Sequence, residues 1–314
     1  MRAAVVVPTN RPERIKAFCA AWEPQLHCEN VRLIVVEDGP GCTAGIVPNW
    51  AQHLSWDPDA RECFPRQTGA CRDFGFFAAG QDKSIDMVVS LDDDVLPMAG
   101  MDLLFEHWQA LTQPRTPRWQ QTAPFATRGL PYGVRCAGTT AMNHGLWAGT
   151  PDLDAFQQLS CADSEWTPKL GDFPSVLVAL GTYIPVCSMN LAMRREHTRF
   201  FWMPVLPDGY KRWDDIWAGI VFKRLADLYG WGVTTGLPLV RHERASNVVA
   251  NLRQEMLGYG INERLWQVVD SWQMRAEDPM STFVSIWSTI SYNFPQLGPV
   301  DANARAWARL WEAV

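Results

Sequence analysis

The chain has 314 residues, 47% of them hydrophobic and 20% charged, which is enough for a large buried core and excludes a disordered protein. A formal net charge of -6 argues against non-specific nucleic-acid binding and leaves small anions to local cationic groups. No uninterrupted apolar run approaches the ~18 residues of a membrane span, and the eight scattered cysteines form no CxxC pair, so reduced thiols in a cytoplasmic protein are expected.

Ala3 to Val7 is predicted as a buried first strand, not a signal peptide. Pro8-Thr9-Asn10-Arg11-Pro12 turns it into a helix over about 13–22. Val31 to Val36 is a second buried strand, closed by Glu37-Asp38-Gly39-Pro40. Two strand–helix units resemble the nucleotide-binding half of a doubly wound, Rossmann-like sheet. The first strand lacks GxGxxG, which argues against a dinucleotide. Asp38, past the second strand, suits a base or ribose contact as well as a plain turn. Residues 67–79 read as a helix whose Arg72 is placed either on phosphate or at the surface.

Met87 to Leu91 is a short apolar strand that ends in Asp92-Asp93-Asp94. Strand alternation would point Asp92 and Asp94 one way and Asp93 the other. Two same-side carboxylates at a strand's carboxyl end suit a hard divalent cation with positions left for phosphate oxygens. A solvated acidic turn is the alternative. An amphipathic helix is expected over 101–111, then a Pro-rich break.

Residues 128–158 gather Arg135, His144, Trp147, Asp152 and Asp154 among glycines; taken alone, His144 reads as a satisfied structural histidine and Arg135 as a salt-bridge partner. Residues 181–193 are apolar and core-like, with Asn190 as a polar contact. Asp214-Asp215 opens an amphipathic helix ending near Gly230; one carboxylate is expected to cap it and the other to be available for chemistry. A strand over 232–240 delivers His242 to an edge, suited to a metal or a phosphate. Beyond Asn247 the chain is helical, and 251–314 is expected as a helical extension packing on a catalytic domain of residues 1–250 or on a partner subunit. Its last helix shows Ala302, Ala306, Leu310 and Ala313 near helical spacing, with Trp307 and Trp311 at i, i+4.

Nine stretches in order resemble the reversibly glycosylated polypeptides, a family that includes the UDP-arabinopyranose mutases. They are VVPTNR (6–11), VVEDG (35–39), GACRDFGF (69–76), LDDDV (91–95), GLPYGVR (129–135), HGLWAGTPDLDAFQQL (144–159), GTYIPVCSMNLAM (181–193), RWDDIWAG (212–219) and GVTTGLPLVRHERASNVVANL (232–252). The resemblance implies an α/β, GT-A-like fold with a mostly parallel sheet flanked by helices. It also implies Mn²⁺ or Mg²⁺ at the aspartate triplet, where Asp92 and Asp94 are the expected ligands, and His242 at its strand edge is expected to join them. A UDP-sugar is the expected partner, with pyranose–furanose interconversion as the reaction. Pro8, Thr9, Arg11, Asp38, Arg72, Asp93, His144, Trp147 and Asn190 are expected to bind it. The family's glycosylated arginine falls on Arg135, and the glutamate that often follows it is here Cys136. Because a guanidinium is a poor nucleophile until it loses a proton, Asp214 or Asp215 is the expected base. Two other readings use the same residues: a glycosyltransferase with a separate acceptor, and a self-glycosylating carrier or partner. Homo- or hetero-oligomers are open to all three.

Overall fold

A computed structural model describes residues 1–39, 43–55, 64–65, 67–113, 128, 131–132, 139–160, 165–169, 171–243 and 247–313. Strands β1 (Ala3–Thr9), β2 (Val31–Glu37), β3 (Gln52–Leu54) and β4 (Met87–Leu91) carry β-branched or apolar runs and pair in parallel, in the order β3-β2-β1-β4. Beyond β4 the same sheet is mixed. β8 (Asn190–Arg194) lies antiparallel between β4 and β6 (Thr140–Gly149), and β9 (Gly232–His242) runs parallel to β6. Short β5 (Val95–Pro97) and β7 (Val176–Leu177) flank β9 antiparallel.

Alternation along the parallel strands divides the core into two layers. Ala3, Val5, Val7, Met87 and Val89 pack against α1 (Pro12–Leu26) and α3 (Leu103–Thr112). Ala4, Val6, Ile34, Val36 and Val88 face the opposite layer. That layer holds α2 (Ala70–Gln81), α5 (Asp214–Tyr229) and the C-terminal helices α7 (Tyr259–Asp270), α8 (Pro279–Asn293) and α9 (Val300–Glu312). Small α4 (Ala155–Ser160) and α6 (Val248–Glu255) lie against each other. The α/β class expected from the sequence is the class observed.

The C-terminal helices share the core of the sheet rather than standing apart from it. Trp287 of α8 meets Trp202 edge-on at 5.1 Å, and Trp307 of α9 donates its indole N–H to the Arg199 carbonyl at 2.8 Å. The buried face of α9 is Val300, Ala304, Trp307 and Ala308, whereas Ala302 and Ala313, expected on that face, are exposed. The large indoles set which stripe turns inward, because they bury far more area than alanine. Among the described residues no helix is long and apolar enough to cross a membrane, and Cys19, Cys28, Cys71 and Cys187 are free thiols.

Candidate active site

The strand order reverses at β1: the chain leaves it for β2 and β3, then returns to β4 on its other side. Open α/β sheets bind ligands outside the carboxyl ends of strands at such a point. Thr9 ends β1 and the aspartate triplet follows β4, and Thr9 Oγ1 donates to Asp93 Oδ2 at 2.5 Å, joining the two tips. A cavity of about 880 Å³ opens there, lined at this end by Pro8, Thr9, Arg11, Asp38, Arg72 and Asp92–Asp94.

The triplet does not follow strand alternation, since β4 stops at Leu91 and residues 92–94 turn. Each carboxylate instead meets a guanidinium, and Arg11 serves two of the three. Asp93 is nearly fully buried and pairs with the Arg11 guanidinium through Nε and one Nη, and that same Nη also reaches Asp94 Oδ2 at 3.2 Å. Asp92 pairs with Arg72. Burial, then the charge of Asp92, pushes the Asp94 carboxyl up, while Arg11 and His242 pull it the other way. Asp92, Asp94 and His242 all line the cavity.

Arg72 is neither a surface cation nor a free phosphate hook. It is 6% exposed, and one nitrogen donates to Ser90 Oγ at 2.5 Å, the Leu91 carbonyl at 3.0 Å and the Ser188 carbonyl at 3.2 Å. Helix α2 packs on the sheet and aims this side chain under the β4 tip, where it holds the turn bearing Asp92. Asp38 accepts the Gln67 backbone N–H at 2.6 Å, which ties the end of β2 to the segment leading into α2.

The opposite wall is the start of α5. The N-cap position is Trp213, which makes no side-chain cap; Asp214 and Asp215 stand inside the first turn, where Asp214 Oδ1 accepts the Asp215 N–H at 3.0 Å and Asp215 Oδ1 the Ile216 N–H at 2.9 Å. Asp214 Oδ2 accepts the Gly69 N–H at 3.1 Å, and Asp215 Oδ2 accepts both the N–H and the hydroxyl of Ser188 at 3.0 Å. Gly69 is required here, because a Cβ on it would overlap Asp214 Oδ2. Both carboxylates are thus fixed, and neither is a loose side chain.

Burial first, and the charge of Asp215 second, push the Asp214 carboxyl up to about 7. The folded chain then keeps a proton that the unfolded chain, with an ordinary value of 3.8, releases. This contribution favours the fold below the unfolded value and is lost as pH rises through the folded one. Urea unfolding across about pH 4 to 7 should show wild type losing stability relative to Asp214→Asn as pH rises. Parallel curves for the two proteins would contradict the shift.

His242 closes β9 beside the triplet and lines the cavity. Its Nδ1–H donates to the Thr150 carbonyl at 2.8 Å, which leaves the Nε2 lone pair as an acceptor or ligand. Trp147 also lines the cavity, and its indole nitrogen is buried with no hydrogen-bond partner among the described residues. His144 and Asn190 do not line it, contrary to expectation. Burial drives the His144 ring down to about 4, so it is neutral, and both nitrogens are engaged: Nε2 accepts from the Cys187 N–H at 3.2 Å and Nδ1 meets Thr235 Oγ1 at 3.1 Å. Asn190 donates to the Leu146 and Pro238 carbonyls and accepts from His107, stitching β6, β8 and β9 together. Arg135 lies outside the described residues.

Several lining residues were not anticipated. Asp152 has no role that its sequence position suggests, and Ser188 lies in a run that reads as core; both line the cavity. Arg212, Glu255 and Asn262 complete the far wall. Glu255 is 3% exposed and accepts from Arg212 Nε at 2.7 Å, Tyr259 OH at 2.9 Å and the Ala155 N–H at 2.7 Å. Nothing in the local sequence marks these as site residues, because their partners are brought in from elements distant along the chain.

Fold and cavity together define an α/β protein with a cavity at the switch point of its sheet, rich in carboxylates and braced by arginines. The family model for reversibly glycosylated polypeptides matches residues 2–314, which takes in the C-terminal helices that the nine motifs left unmatched. The chain belongs to that family. It is 31% identical over 280 residues to UDP-arabinopyranose mutase 3 of Arabidopsis thaliana, covering 81% of this chain and 74% of that protein. It is 32% identical over 278 residues to the probable UDP-arabinopyranose mutase 2 of Solanum tuberosum, covering 81% and 73%. Among solved structures it resembles glucosyl-3-phosphoglycerate synthase of Mycobacterium tuberculosis in complex with Mn²⁺, UDP-glucose and phosphoglyceric acid. That likeness has a TM-score of 0.48 and 16% identity, and covers 84% of this chain and 79% of the other.

Proposed function

We propose that this chain interconverts the pyranose and furanose forms of a UDP-linked sugar, of which UDP-arabinose is the type, with Mn²⁺ or Mg²⁺ at Asp92, Asp94 and His242. The observation that carries the reading is the meeting of two carboxylate pairs, Asp92/Asp94 and Asp214/Asp215, across one cavity at the sheet's switch point. The mutase relatives support the reaction.

Among the described residues no three of His, Cys, Asp and Glu are already gathered as a metal cluster. The donor chemistry nevertheless suits a divalent cation: two carboxylates, and an imidazole whose Nδ1–H is fixed on a carbonyl, which aims the other nitrogen as a ligand. When bound, such a cation supplies positive charge for a departing diphosphate.

The chain's own groups supply the rest. Arg72 and Arg11 hold the turn that carries the carboxylates. Arg135, taken as the glycosylated position from the family resemblance, forms a bond from its nitrogen to C1 as the C1–oxygen bond to the diphosphate breaks. Its proton passes to Asp214, whose affinity near neutrality suits a base. The nitrogen's lone pair then expels the ring oxygen, which takes up a proton, and a different hydroxyl closes on C1 with loss of one. The diphosphate oxygen finally reclaims C1 while Asp214 returns the proton to the guanidinium.

NMR of UDP-arabinopyranose with the protein and Mn²⁺, without an acceptor, tests this. A furanose anomeric signal is expected. Slow hydrolysis alone would replace the reading with a transferase, and an unchanged substrate would remove it.

A further inference from the structure

The far wall of the cavity contains a hydrogen-bond donor held in one orientation. Trp217, on the first turns of α5, is fully buried, and its indole N–H donates to Asn262 Oδ1 on α7 at 3.1 Å. An indole nitrogen can only donate, so the Asn262 amide has one orientation: oxygen toward Trp217, NH₂ away from it. Asn262 lines the cavity, and its Nδ2 makes no hydrogen bond among the described residues. The support beneath it is stiff. Trp213 stacks on Trp217 with ring centres 6.0 Å apart and donates its own N–H to the Glu255 carbonyl at 3.0 Å. Helix α7 begins against this stack, where a Cβ on Gly258 would overlap the Trp213 indole.

Contacts order the cavity from end to end. Asp38 and Thr9 mark the strand-tip end, and the Arg72–Asp92 pair follows. Asp214 and Asp215 stand across from it, tied to Gly69 and Ser188. One turn further along α5 come Trp217 and Asn262. A nucleotide diphosphate seated at the strand tips would extend its remaining portion, the sugar, past Asp214 and Asp215 toward Asn262. A fixed donor there suits a hydroxyl oxygen of a neutral polyol ring, and the carboxylates lining the same cavity disfavour an anionic group.

We infer that Asn262 is a specificity-determining residue that reads a hydroxyl of the sugar through Nδ2, its orientation locked by Trp217. The inference rests on the UDP-sugar reading above. It assigns to the C-terminal helices the selection of the sugar, while the strand tips hold the nucleotide.

The test compares calorimetric binding of UDP and of UDP-arabinopyranose, each with Mn²⁺, for wild type, Asn262→Asp and Trp217→Phe. Aspartate keeps an oxygen for the indole and loses the NH₂, so Asn262→Asp should melt like wild type. It should bind the UDP-sugar about tenfold more weakly, with UDP affinity unchanged. Trp217→Phe leaves Asn262 in place but unlocks its amide; it should lose sugar affinity in the same direction and leave UDP untouched. Equal loss for both ligands in both variants, or wild-type sugar affinity in Asn262→Asp, would overturn the inference and leave the mutase reading standing. Failure of wild type to bind either ligand would overturn both.

Discussion

Asp94→Asn is expected to lower turnover on the order of 10²–10³-fold while leaving the melting temperature close to wild type. The fold should survive because Asp94 serves its neighbours in two ways that asparagine preserves. Its backbone carbonyl accepts the Glu243 N–H at 2.9 Å, and its side-chain oxygen meets Arg11 at 3.2 Å. Asp93 continues to anchor Arg11 whatever happens next door. What asparagine removes is negative charge beside Asp92, the quantity a divalent cation needs most. Turnover followed by the furanose signal, with and without EDTA, is the measurement. Wild-type rates in the variant, or undiminished rates in the chelator, would take the cation away from this turn.

Arg72→Met should act on stability as strongly as Asp94→Asn acts on rate. Breaking a buried ion pair from one side leaves a charge and several polar groups without partners, a loss of about 3–5 kcal/mol. Here Asp92 has one-third of its side chain exposed and can turn to water, which places the expected loss near the lower figure, about 3 kcal/mol. The Leu91 and Ser188 carbonyls lose a donor as well, and Ser188 is the residue that fixes Asp215. Arg72→Lys keeps a charge but cannot reach Ser90, Ser188 and Asp92 together, so it should fall between the two. Urea unfolding decides: a loss below about 1 kcal/mol in Arg72→Met would mean the pair behaves as a surface contact.

The strands of the parallel half were legible because burial on both faces writes itself as an apolar run, and Met87–Leu91 was bounded to the residue. Asp92, Asp94 and His242 were legible as strand-end residues and Asp214 and Asp215 as a helix-start pair, and the structure lines one cavity with all five. The role of Arg72 was ambiguous, since an arginine in a helix has the same local signature on a surface or under a turn. For His144 the plain reading of a lone histidine as structural is the one that holds, and the ligand contact expected with the family resemblance does not: both of its nitrogens are engaged, by Cys187 and Thr235. The antiparallel β8 was hidden in an apolar stretch whose periodicity does not distinguish strand from packed loop. Least visible was the far wall. Arg212 and Glu255 are 43 positions apart, and Trp217 and Asn262 are 45 apart, separations that no local pattern encodes.

The shared use of α5 has a consequence for how this chain comes off the ribosome. One side of that helix carries Asp214 and Asp215, and its apolar positions, Phe222 among them, lie in the same core as α7 and α8. A nascent chain that has emerged only to about residue 250 already contains the whole acidic turn after β4. It nevertheless leaves Trp202, which packs on Phe283 and Trp287, bare to solvent or to a chaperone. Competence therefore arrives with α7 and α8, which cover Trp202 and the apolar side of α5, rather than growing as the strands emerge.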